Sequence, residues 1–61
     1  MRTFYVAFYN EYGSIVTTTI DLEPGEKANE VTFHAKINER YLNDKLMPFC
    51  ILITSWSLIE E

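Results

Sequence analysis

Residues 3–9 read Thr3-Phe4-Tyr5-Val6-Ala7-Phe8-Tyr9. As a strand, this run is apolar on both faces. Side chains alternate, so Phe4, Val6 and Phe8 share one side and Tyr5, Ala7 and Tyr9 the other. Phe49-Cys50-Ile51-Leu52-Ile53 repeats the pattern later in the chain. Strands of this kind call for cover on both faces. The 61 residues suffice for one domain, spanning 1–61, and about one helix to pack on its sheet. The second face is then expected to need another subunit or a partner.

Outward from the first run, a strand over residues 3–11 leads to Tyr12-Gly13, where glycine can supply the positive φ of a hairpin turn. A second strand over 14–22 follows, carried by the β-branched run Ile15-Val16-Thr17-Thr18-Thr19-Ile20. Its alternation sets Val16, Thr18, Ile20 and Leu22 on one face and Ile15, Thr17, Thr19 and Asp21 on the other. Pro24-Gly25 has the form of a turn with proline first and glycine second.

Residues 26–47 can be read in two ways. As a helix they present a stripe of Ala28, Val31, Ala35, Leu42 and Leu46, with Phe33, Ile37 and Tyr41 nearly opposite at four-residue spacing. Asn29 suits the N-cap, Lys45 the C-terminal end, and Pro48 prevents continuation. As a strand, Val31, Phe33, Ala35 and Ile37 alternate with Thr32, His34 and Lys36. The helix is favoured, because residues 38–46 look helical in either case. A last strand is expected over 49–58, with Cys50, Leu52, Thr54, Trp56 and Leu58 on one side. Phe49, Ile51, Ile53, Ser55 and Ser57 then take the other.

The predicted fold is α+β: a small β-β-α-β domain whose three-stranded sheet has order 2-1-3, with one helix packed on one face. A right-handed crossover returns the third strand antiparallel to the first. This order puts a doubly apolar strand in the middle.

Chains of this size bury only about 60% of their unfolded surface, so self-sufficiency is marginal. Cys50 is the single cysteine, so no internal disulfide adds support, and a small buried hydrophobe is its expected role. A lone thiol and no apolar stretch of signal or membrane-spanning character suggest a cytoplasmic, soluble protein. Nine acids against five bases leave a net charge of −4. Residues 26–45 cancel internally, so the excess arises from Glu11, Asp21, Glu23, Glu60 and Glu61 against Arg2. That balance opposes phosphate backbones and anionic membranes and permits a basic protein surface.

Motifs that carry chemistry are sparse. His34 has Glu30 four residues earlier, short of a metal site. Asp21 and Glu23 read as a solvated strand end, and Ser14, Ser55 and Ser57 lack a nucleophile elbow. Gly13 and Gly25 stand alone, without a phosphate-cradling loop. The aromatics Phe4, Tyr5, Phe8, Tyr9, Tyr12 and Trp56 could stack bases on a sheet, but only Arg2 is near to track a backbone. No catalytic, cofactor or metal residues are therefore assigned.

The sequence favours a small acidic protein-binding module, a modulator or inhibitor of a larger host protein such as phages and mobile elements encode. A self-associating structural protein and a small oligomeric enzyme are the alternatives. The expected partner is another protein or a second copy, as a homodimer. The expected interaction surface is Tyr5, Tyr9 and Trp56, rimmed by Glu11, Asp21 and Glu23.

Overall fold

The computed structural model describes all 61 residues. Strands β1 (Arg2–Tyr9) and β2 (Ile15–Leu22) form a hairpin, helix α1 (Glu30–Asn43) follows, and β3 (Leu52–Glu60) completes the chain order. The sheet has order β2-β1-β3, antiparallel throughout, as the sequence predicts.

Local chemistry places each element. Gly13 has φ +80° in the hairpin connection. Asn10 organises that loop: its Oδ1 accepts from the N–H groups of Tyr12 and Ser14, both at 2.9 Å. At Pro24-Gly25 the Glu26 N–H donates to the Glu23 carbonyl at 3.0 Å and Gly25 has φ +96°. Asn29 caps α1, its Oδ1 accepting from the Thr32 N–H at 2.9 Å. The helix is shorter than residues 26–47 suggested, and the alternating reading of 31–37 as a strand is not realised.

The core lies between α1 and one face of the sheet. It contains Phe4, Val6 and Phe8 from β1, Ile20 and Leu22 from β2, Phe33 and Ile37 from α1, then Cys50 and Ile53. Val16 and Ala28 pack against its margin. Of the two apolar stripes on the helix, the one with the larger side chains wins. Phe33 and Ile37 are buried, whereas Val31 is 79% exposed and Leu42 and Leu46 face solvent. α1 ends at Asn43, so Leu46 drops out of the second stripe, and at the centre of the helix Phe33 with Ile37 removes more apolar area from water than Val31 with Ala35. Phe33 anchors the layer, with its ring centroid 5.3 Å from that of Phe4 and 5.4 Å from that of Trp56.

β3 starts later than expected, at Leu52, and its faces differ from simple alternation. Ala7 pairs with Ser55 but Phe8 pairs with Ile53, leaving Thr54 as an extra residue. Opposed residues share a face, so Ile53, Trp56 and Leu58 all join the helix side, beside Phe8, Val6 and Phe4. The alternation over 49–58 separates Ile53 from Trp56, and this bulge overturns it. A second shift falls at Ile59, between the Phe4–Leu58 and Thr3–Glu60 pairs.

Asn38 clamps the segment between helix and β3 at Cys50. Asn38 Oδ1 accepts from the Cys50 N–H at 2.8 Å, and Asn38 Nδ2 donates to the Cys50 carbonyl at 3.2 Å. Phe49 stacks edge-on against Tyr41, centroids 5.1 Å apart, and the Lys45 ammonium lies 4.3 Å from the Tyr41 ring centre. Cys50 is fully buried, and desolvation pushes its thiol pKa up.

Asn38→Ala removes both bonds and leaves buried Cys50 backbone groups unpaired. The expected cost is about 2 kcal/mol, read from urea unfolding. An unchanged midpoint would show that the clamp contributes nothing. A second expectation concerns Glu26. Its carboxylate accepts from the Glu23 N–H at 2.8 Å and pairs with the Lys36 ammonium at 3.1 Å. Together, the backbone bond first, they hold its pKa below the ordinary carboxylate value. A depressed folded pKa contributes stability that is present above the unfolded value and lost as pH falls through the folded one. Thermal melts in acid should therefore fall less steeply for Glu26→Gln than for the parent chain. Identical slopes would contradict the assignment.

Candidate protein-docking edge

The bulge that redirects β3 also divides the expected interaction surface. Tyr5 and Tyr9 project from the face opposite the helix, 46% and 37% exposed. Trp56 lies on the helix side against Phe33, so the structure does not bring the three aromatics together. The acids are dispersed too. Asp21 sits opposite Thr3 and accepts its hydroxyl at 2.7 Å, and Glu23 belongs to the neighbouring turn. Glu11 lies in the hairpin loop, at the other end of β1.

The open face is mixed in character. Across its three strands run the rows Ile15–Tyr9–Leu52, Thr17–Ala7–Ser55, Thr19–Tyr5–Ser57 and Asp21–Thr3–Glu60. Hydroxyl groups flank Tyr5 on both sides, whereas Tyr9 lies between Ile15 and Leu52. Such a face tolerates water better than the reading of β1 alone implied, because the outer strands supply the polarity.

The two sheet edges are treated differently. On the β2 side, Arg40 reaches from α1 to the Thr18 hydroxyl at 3.0 Å and the Thr19 carbonyl at 2.9 Å. Arg2 donates to the Glu26 carbonyl nearby. The β3 side has no such guard. Its residues carry no charge from Leu52 to Ile59, and every one except Ile53 is exposed. A long, uncharged edge strand is a template for pairing with another chain.

Beside that edge, a groove of about 380 Å³ lies between the first half of α1 and the start of β3. Val31, Ala35, Ile51, Leu52 and Ile53 line it, with Glu30 and His34 at its polar side. Val31, Ile51 and Leu52 are exposed, so apolar surface continues from the groove along Trp56, Leu58 and Ile59. The His34 ring lies beside the Asn38 amide, its nitrogens 3.3 and 3.4 Å from Nδ2. No three His, Cys, Asp or Glu side chains gather as a metal-binding group. No helix is long and apolar enough to cross a membrane.

Sequence reasoning missed Val31, Ile51 and Ile59 as surface residues. Val31 stood on one of two apolar stripes between which the sequence did not choose, and no Gly or Pro marks the irregular backbone at Ile59. A second polar recess, lined by Asp21, Lys36, Glu39, Arg40 and Asn43, offers opposite charges already engaged in part with Glu26 and β2.

Trp56→Ala strips one wall from Phe33 and should lower stability by about 2–3 kcal/mol in chemical denaturation. A change under about 0.5 kcal/mol would mean that the indole does not pack there. Set against family models, curated proteins and solved structures, the chain finds no significant match in any of the three.

Proposed function

We propose that this chain is a small acidic protein-binding module that modulates a larger protein by docking through the free edge of β3. The uncovered, uncharged run from Leu52 to Ile59 is the observation that supports it. Strand addition supplies main-chain hydrogen bonds, and the flanking groove supplies pockets for apolar side chains. Trp56 adds a large aromatic at the middle of that edge, the kind of residue that dominates interface energetics. The acidic remainder of the surface disfavours competing phosphate-rich partners.

Immobilised chain should retain a protein at stoichiometric yield. Leu58→Glu, which places a charge on the edge, should cut that yield at least tenfold. Tyr5→Ala, on the opposite face, should leave it within about twofold. Loss with Tyr5→Ala and retention with Leu58→Glu would assign binding to the open face instead and refute the edge.

A further inference from the structure

We infer that, with no larger partner bound, the β3 edge is occupied by a second copy of this chain. The two β3 strands pair antiparallel about a two-fold axis to form a continuous six-stranded sheet. This rests on the reading of β3 as the docking edge and names its occupant.

Symmetry and face alternation restrict the register. In a two-fold antiparallel pair, opposed residues must share a sheet face, so the central residue lies opposite its own copy. The midpoint of Leu52–Glu60 is Trp56. Centring there gives full overlap and sets Trp56 against Trp56 on the helix side. Leu58 and Ile59 of one copy then come alongside the start of β3 in the other. That is where the groove lined by Val31, Ala35, Ile51 and Ile53 opens. Ile59, 56% exposed and displaced by its bulge, is the free apolar side chain available to enter it.

The net charges of two copies repel, but the antiparallel orientation keeps that repulsion away from the contact. Each copy carries −4, yet the contact is made between uncharged strands. Antiparallel overlap sets the two Glu60 residues at opposite ends, about 27 Å apart at ~3.4 Å per residue. That exceeds the screening length of ~8–10 Å in physiological salt. A parallel pair would juxtapose them. The area is modest: a standard interface takes ~800 Å² per partner, about a fifth of this chain's 4137 Å². Area does not set affinity, and the association need only be weak enough for a larger protein to displace the second copy.

Analytical ultracentrifugation of the full chain tests the inference. The mass should rise from 7.2 kDa towards twice that value with concentration. Fluorescence of the sole tryptophan, Trp56, should shift blue over the same range. Ile59→Glu should weaken the dimer at least tenfold while circular dichroism stays native. Adding Val31→Lys to Ile59→Glu should restore it, because each lysine then faces the partner's glutamate. A monomer persisting to about 1 mM overturns the second copy as occupant. A dimer indifferent to Ile59→Glu overturns the register. If Leu58→Glu still abolishes capture of a different protein by a monomeric chain, the docking edge stands and only this occupant fails.

Discussion

One extra residue, Thr54, determines how the sheet closes over its core. Strict alternation sends Ile53 to one side and Trp56 with Leu58 to the other. The bulge at Thr54, whose hydroxyl donates to the Ala7 carbonyl at 3.0 Å, puts all three on the helix side. A strand without it would lose either Ile53 from beneath α1 or the indole from beside Phe33. Phe33 touches both Phe4 and Trp56, so the helix position rests on this displacement. The same kink turns β3 into an edge with apolar side chains beside exposed backbone.

Much of the fold is legible because its punctuation is chemical. Gly13, Pro24-Gly25 and Asn29 act through constraints that belong to the residues themselves, and the structure uses each as expected, whereas the helix ends at Asn43, before Pro48 can stop it. Strand order follows from placing a doubly apolar strand centrally. The bulges were not legible, since neither Thr54 nor Ile59 is a residue that demands an irregular backbone. The helix offered two apolar stripes, and only tertiary packing chose Phe33 and Ile37 over Val31 and Leu42. The Asn38–Cys50 clamp joins residues 12 apart through geometry that no local pattern encodes. The site suffered accordingly. Tyr5, Tyr9 and Trp56 read as one surface only while residues 49–58 were taken to alternate.

The edges show how a small sheet distributes risk. Arg40 occupies polar groups of β2 with a long, charged side chain, a usual means of discouraging further pairing. β3 has bulges at both ends of its central part but no charge before Glu60. Towards an acidic surface, β3 is therefore the sheet edge that presents no like charge before Glu60.

The pairing of β1 with β3 also fixes the order of events during synthesis. β2 emerges soon after β1, so one side of the central strand can zip up at once. Its other side must wait for residues made some fifty positions later, roughly 2–10 s at ordinary translation rates. Until then Phe4, Val6 and Phe8 have no indole or Ile53 beside them. The nascent hairpin is thus a half-finished ribbon whose second edge stays open until β3 is made.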